Sequence, residues 1–265
     1  MVDTSQCRLA RPWWRIAGTM ALATALVLAF VPAAPLRAAE GHDLVAIRAS
    51  ALAFRIDRHE VTIGQFRKFM TATGTRTKAE RDGGGSQYLG GWQRMAGWTW
   101  DKPYGTPGRD DEPVVNVTYD EADAYCRWAG LRLPRDAEWV AAAYTETRAS
   151  PLAPFVAGRR YRYPTGDSPD TANQMDSKAR HTRLGPAEKL GHGGGHVAVR
   201  TTAPGVNGLF DMGANVWEWV DEGAGDKRTR GGSWWYGPAQ MQADAVYDKP
   251  RGFAAVYVGF RCVGD

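Results

Sequence analysis

No block of Lys and Arg with interleaved aromatics follows residue 39, so the electrostatic footprint of a nucleic-acid binder is missing. The formal charge of +4 and the pI of about 9.0 come from the start of the chain. There Arg8, Arg11, Arg15 and Arg37 face only Asp3, and the remaining residues are nearly neutral. No Walker or dinucleotide glycine motif sits in a strand–helix context, and no Ser-His-Asp setting occurs. Internal repeats and a second composition regime are also lacking, which leaves one domain over 40–265. Cysteine is scarce. Cys7 lies near the start, so the rest of the chain holds only Cys126 and Cys262. An even count reads as one structural disulfide in an oxidising compartment, or as two buried thiols in a reducing one.

The beginning of the chain favours the first compartment. Three arginines between residues 8 and 15 precede an uncharged, mostly apolar run from Ile16 to Ala34. Small residues follow, so residues 1–39 read as a signal peptide cut after Ala38 or Ala39. The alternative is an uncleaved N-terminal anchor, since the run nearly reaches bilayer length. A periplasmic or secreted monomer with no membrane span in the mature chain is expected.

What is abundant is tryptophan, at 11 residues, with 31 Gly and 15 Pro. That mixture suggests a loop-rich α+β core pinned by large rings. Leu44–Ile47 and Phe54–Asp57 read as strands, and Glu60-Val61-Thr62 starts a helix with Ile63, Phe66, Phe69 and Met70 on one face that ends at Gly74. Residues 75–112 read as a long loop carrying Trp92, Trp98 and Trp100, which either line a cleft or staple the loop down. Thr118 with Glu121 forms a capping-box pattern ahead of a helix that ends at Gly130. A short strand over Leu131–Leu133 is followed by a second helix with Ala137, Val140, Ala141 and Tyr144 as its apolar stripe. Val216–Val220 and Val256–Phe260 alternate as half-buried strands would.

Seven strings then occur in a fixed order. They begin with Asp57-Arg-His-Glu-Val-Thr, then Pro113-Val-Val-Asn-Val-Thr-Tyr-Asp-Glu-Ala and Ala124-Tyr-Cys-Arg-Trp-Ala-Gly-Leu-Arg-Leu-Pro with Asp136-Ala-Glu-Trp. Asn207-Gly-Leu-Phe-Asp-Met, Asn215-Val-Trp-Glu-Trp, Arg230-Gly-Gly-Ser-Trp and Gly259-Phe-Arg-Cys complete the series. In this order they resemble the formylglycine-generating (sulfatase-modifying factor) family. The resemblance implies a large, loop-rich C-type-lectin-like α+β fold with few helices and short twisted antiparallel strands. It also implies the pairing of Cys126 with Cys262.

The family's two copper-binding cysteines fall at Tyr236 and Met241 in this sequence. A phenol and a thioether cannot supply two soft thiolates for Cu(I), so copper and formylglycine-generating activity are not expected. Trp217, Ser233, Trp235, Tyr236 and Met241 are the pocket candidates, with Tyr236 as an aromatic or proton-relay group and any redox metal unknown. The resemblance further implies a structural calcium held by the side chains of Asp211 and Glu218 and the carbonyls of Ala214 and Val216. The competing reading pairs Glu218 with an arginine and lets Asp211 cap a turn. A second family calcium site looks degraded, because Asn173 survives while Leu190-Gly-His-Gly-Gly-Gly has no carboxylate. His192-Gly-Gly-Gly-His196, with His181, reads as a mobile loop rather than a metal site, and Arg58-His59-Glu60 as strand surface.

Cysteine-poor members of this kind resemble pyoverdine-maturation and nitrite-reductase-accessory proteins. The expected function is therefore an exported oxidoreductase or maturation factor acting on an unknown small-molecule, peptide or protein substrate. A non-catalytic lectin-like peptide or glycan binding module is the alternative. Formylglycine generation comes last.

Overall fold

Threonine side chains set where the first three helices begin. In the computed structural model, which describes residues 41–176 and 195–265, Thr62 caps α1 (Ile63–Thr73), Thr77 caps α2 (Lys78–Asp82) and Thr118 caps α3 (Tyr119–Trp128). Each cap is reciprocal, with Gln65, Glu80 or Glu121 reaching back to the cap backbone. Gly74 ends α1 in the left-handed region at φ 64°, where a side chain would be strained. A fourth helix, α4 (Asp136–Tyr144), starts without a side-chain cap from Arg135, although Glu138 accepts from the Arg135 N–H.

Short strands carry the rest. β1 (Leu44–Ala49) and β2 (Leu52–Asp57) form a hairpin, and the C-terminal β9 (Val263–Gly264) adds to β2. β3 (Ser86–Tyr88) and β4 (Trp92–Arg94) form a second, small hairpin. A third sheet has the order β7-β6-β5-β8, from β5 (Trp217–Trp219), β6 (Lys227–Arg230), β7 (Tyr247–Lys249) and β8 (Val258–Gly259). All pairings are antiparallel except β5 with β8, which is parallel.

Several local expectations need correction. The segment 75–112 is no plain loop, since it holds α2 and the β3–β4 hairpin. Its tryptophans divide: Trp98 and Trp100 are buried staples, whereas Trp92 is 56% exposed. Leu131–Leu133 makes only a single bridge, from Arg132 to Val263. In α4 the buried side is Glu138, Trp139, Ala142, Ala143 and the expected Tyr144, while Ala137 is exposed and Val140 and Ala141 are half-buried. Polar partners turned the helix: Glu138 is drawn inward by Arg132 at 2.7 and 2.8 Å, and the Trp139 ring N–H reaches Glu218.

Residues 215–220 and 254–263 are buried on both faces instead of alternating. The cause is that β5 runs between two hydrophobic clusters. Trp217 and Trp219 join a core with Phe66, Tyr125, Val114 and Phe260, while Val220 joins Trp139, Tyr144, Ile56 and Leu209. Successive strand residues point to opposite faces, so Trp217 and Glu218 look into different halves of the domain. Cys126 of α3 and Cys262 are joined by a disulfide inside the first core, with Cα atoms 5.7 Å apart. Among the described residues no helix is long and apolar enough to cross a membrane. The signal-peptide expectation for 1–39, and His181 and His192, fall outside the described residues.

Candidate functional site

On one face of β5 the Trp217 ring is the floor of an aromatic patch. Trp217 is fully buried, and Tyr236 meets it edge-on at 5.5 Å between ring centroids. Tyr247 of β7 lies 5.0 Å from the same ring. Tyr257 stands 6.1 Å from Tyr236, and Trp92 of β4 packs 6.3 Å from Tyr257 and 4.8 Å from Phe253. The floor is dry and the rim is open: Trp92, Tyr88 and Tyr247 are 56%, 46% and 41% exposed. The exposed rings are thus linked through the buried Tyr257 and Trp217 and the half-buried Tyr236, and are not scattered singly.

Lys249 sits within this patch. On β7 it is two residues from Tyr247, so both side chains share one face of the strand. Its Nζ lies 4.8 Å from the Trp217 centroid and 5.7 Å from Tyr247, and donates to Thr229 Oγ1 at 2.9 Å. No carboxylate pairs with it within 4 Å among the described residues. Burial pulls its pKa down to about 8, the neighbouring Asp248 opposing that only in part. Burial also raises the Tyr236 phenol above its ordinary range. Two buried polar atoms of these rings, Trp217 Nε1 and Tyr257 Oη, have no well-formed hydrogen bond in the protein.

The other expected pocket residues are dispersed. Ser233 is fully buried; its carbonyl accepts from the Tyr236 N–H at 2.9 Å, and its hydroxyl from the Trp235 N–H at 3.4 Å. Trp235 is half-buried and packs on Trp234 at 5.2 Å. Met241 leaves the group entirely. It is buried with Tyr163, Ala172 and Ala214, its methyl close to Gly213. The positions corresponding to the family's two cysteines thus face different surroundings, and a copper ion held between them does not fit. Cys126 and Cys262 are bonded to each other, so no free thiol remains among the described residues.

The opposite face of β5 carries charge. Glu218 is fully buried and grips Arg261, also fully buried, with Nη2 to Oε1 at 2.6 Å and Nε to Oε2 at 2.8 Å. The Trp139 ring N–H donates to the same Oε2 at 2.7 Å. Arg261 further donates to the Asp57 and Phe210 carbonyls at 3.0 and 2.9 Å. Beside this pair stand Glu60, which accepts from Asn215 Nδ2 at 3.0 Å, and Asp211, which accepts from Thr202 at 2.6 Å. Each keeps one buried oxygen without a partner, Glu60 Oε2 and Asp211 Oδ2. Burial raises the Glu60 carboxyl well above its ordinary range, helped by the charge of Asp211, and burial raises Asp211 likewise.

Glu218 has the partner of the competing reading, an arginine. Both oxygens of Glu218 are committed to a guanidinium and an indole N–H, so the positive charge beside it is Arg261. Among the described residues no three His, Cys, Asp or Glu side chains gather to hold a metal. The turn between Asp211 and Glu218 is nonetheless unusual, with Asp211, Ala214 and Asn215 at φ 57°, 66° and 51°. Nor is Glu60 strand surface, as the sequence suggested, since it is completely buried. Asn173 takes part in the same polar region, donating to Asn215 Oδ1 and the Gly195 carbonyl at 3.0 Å.

His196 lies in irregular backbone, but its side chain is not exposed. It is fully buried between Glu112, 3.0 Å from Nε2, and the Tyr104 hydroxyl, 3.0 Å from Nδ1. Burial works against the Glu112 charge, but His196 and the Arg109 N–H hold its carboxyl below the ordinary range. This chain of bonds ties residues 195–199 to the tryptophan-bearing segment.

Sequence reasoning missed Tyr247, Lys249 and Tyr257, which belong to none of the seven strings. Only the strand spacing of Tyr247 and Lys249 could have hinted at a shared face. Arg261 stood inside Gly259-Phe-Arg-Cys, but nothing local showed that its partner was Glu218.

Comparison with known proteins agrees with the fold. The sulfatase-modifying factor enzyme 1-like domain matches residues 36–265. A formylglycine-generating enzyme from Streptomyces coelicolor is 33% identical over 194 residues, covering 64% of this chain and 57% of that protein. A hercynine oxygenase from Mycolicibacterium thermoresistibile is 31% identical over 215 residues, 69% of this chain and 44% of its own length. The chain spans less than two thirds of the length of these curated relatives. PvdO from Pseudomonas aeruginosa superposes with a TM-score of 0.55 at 18% identity, over 85% of this chain and 91% of its own. CarF gives 0.52 at 22% identity, over 84% and 98%. At those identities the likeness concerns the fold.

Proposed function

We propose that this chain, which belongs to the sulfatase-modifying factor enzyme 1-like family, is an exported oxidoreductase-type maturation enzyme whose substrate lies on the aromatic patch around Trp217. One observation carries this reading. At the family's first cysteine position Tyr236 faces Trp217 at 5.5 Å, while at the second Met241 is turned into a separate core cluster. The fold's reactive place is thus retained and its thiols are replaced by a phenol next to a poorly charged amine. The exposed rings of Trp92 and Tyr247 would orient a flat substrate by ring contact above the Trp217 floor, and Tyr236 would hold or pass a proton at its Oη. The relative named as a hercynine oxygenase supports oxidative chemistry in the family without thiol-to-aldehyde conversion of a protein cysteine. Export is supported by the basic-then-apolar start and by the Cys126–Cys262 bond, since such bonds persist in oxidising compartments.

Oxygen uptake by the purified protein tests this. A panel of small aromatic substrates and a cysteinyl peptide should give uptake with a member of the first class only, lost in Trp217→Leu. Conversion of the peptide thiol to an aldehyde would overturn the reading. The exposed rings Trp92 and Tyr88 favour one further possibility, a lectin-like binding module without catalysis. Saturable binding of a glycan or peptide, with no uptake for any panel member, would establish that instead.

A further inference from the structure

We infer that Lys249 is a carbonyl-capturing amine, which condenses with an aldehyde or ketone held against the exposed Tyr247 ring beside Trp217. This rests on the patch being the reacting site. Three features of the geometry point to it. The Nζ has no carboxylate partner and is held between Thr229 Oγ1 and the faces of Trp217 and Tyr247. Such a setting favours the neutral amine, because burial penalises the ammonium and the charge of Asp248 restores it only in part, which agrees with a pKa lowered to about 8. A lysine amine becomes a nucleophile toward carbonyl carbon under these conditions. Second, the rings provide an apolar wall on which an aromatic or conjugated carbonyl compound can lie. Third, Trp217 Nε1 is a buried donor without a partner in the same patch, suited to a ligand oxygen.

The step balances within protein and ligand. The amine lone pair attacks the carbonyl carbon and the π pair moves to oxygen, giving a carbinolamine. Loss of one water, carrying the former carbonyl oxygen and both amine hydrogens, leaves a C=N bond. No oxidant is consumed. The charged groups near Lys249 are few: Asp248 on its own strand, and the phenols of Tyr247 and Tyr236 around Trp217.

The test is reductive trapping. The full-length purified protein is incubated at about pH 7.5 with 4-hydroxybenzaldehyde and cyanoborohydride, and adducts are located by peptide mass mapping. Lys249 should be labelled at least about tenfold faster than the exposed Lys68 and Lys102, by virtue of its larger neutral fraction. Lys249→Arg should lose that adduct, keep the melting temperature and leave labelling at Lys68 and Lys102 unchanged. Labelling of Lys249 no faster than the exposed lysines overturns the inference, as does equal selectivity in denaturant. Oxygen uptake is read separately. Loss of trapping with uptake intact removes the amine and leaves the oxidoreductase reading standing, and the reverse result removes that reading alone.

Discussion

Trp217 and Glu218 are adjacent on one three-residue strand, yet they belong to regions built on opposite rules. On the Glu218 side every charge is buried: a bidentate ion pair with Arg261, an indole N–H, and two more carboxyls in Glu60 and Asp211. On the Trp217 side the rings are exposed at the rim, the amine has no counter-ion and the Trp217 ring N–H is left unpaired. The first arrangement locks the chain, because removing any partner strands a charge away from water. The second leaves interactions unmade, which is what a surface awaiting a ligand requires. Substitutions on the two faces should therefore separate stability from function.

The largest expected effect tests the locked face. Glu218→Ala leaves the Arg261 guanidinium buried without its carboxylate, and should cost about 3–5 kcal/mol in urea unfolding. The double variant Glu218→Leu with Arg261→Met should be more stable than the single one, since neither charge then remains. A single variant within about 0.5 kcal/mol of the parent would mean that solvent reaches the pair, and the contrast between the faces would fail. Replacing Cys126 and Cys262 by Ser should cost about 2–5 kcal/mol on the Trp217 side, whose core contains that bond. The double serine variant should nevertheless keep the aromatic patch intact under native conditions, as read by tryptophan fluorescence.

A smaller effect concerns Glu60. Its folded-state pKa is raised, so the native protein binds more protons than the unfolded chain as the pH climbs above the ordinary carboxylate range. Stability should accordingly fall with rising pH through that window. Glu60→Gln, which keeps an acceptor for Asn215 and carries no charge, should flatten the fall and add about 1–2 kcal/mol near pH 8. A steeper pH dependence in the variant would show that the Glu60 carboxyl is ionised in the folded protein.

How much of this contrast was legible in the sequence depends on whether the interaction is local. The Thr118–Glu121 cap, the Gly74 stop and the strands around Phe54 and Val258 follow from spacing within a few residues, and the structure has them. The ordered strings carried the family fold, and the two non-thiol positions followed from counting along one of them. The burial of α4 was misread because hydrophobic periodicity weighs apolar residues only, whereas Arg132 and Glu218 recruited Glu138 and Trp139 inward. Partner choice across long separations was not readable either. The pairing of Glu218 with Arg261, and the meeting of Lys249 with Trp217, both require the fold to exist first.

The smallest expected stability change is the most informative about function. Tyr236 is half-buried and its hydroxyl meets the neighbouring Tyr257 phenol, so Tyr236→Phe removes one oxygen while keeping the ring 5.5 Å from Trp217. Its unfolding free energy should move by less than about 0.5 kcal/mol, as for substitutions that neither empty a cavity nor strand a charge. If the phenol holds or passes a proton for the bound substrate, turnover should nonetheless fall at least about tenfold, with trapping of 4-hydroxybenzaldehyde at Lys249 preserved. That pattern would assign covalent capture to Lys249 and proton handling to Tyr236, above the Trp217 floor. Unchanged turnover in Tyr236→Phe would reduce Tyr236 to a wall of the patch and shift the proton step to Tyr257, the buried phenol at its edge.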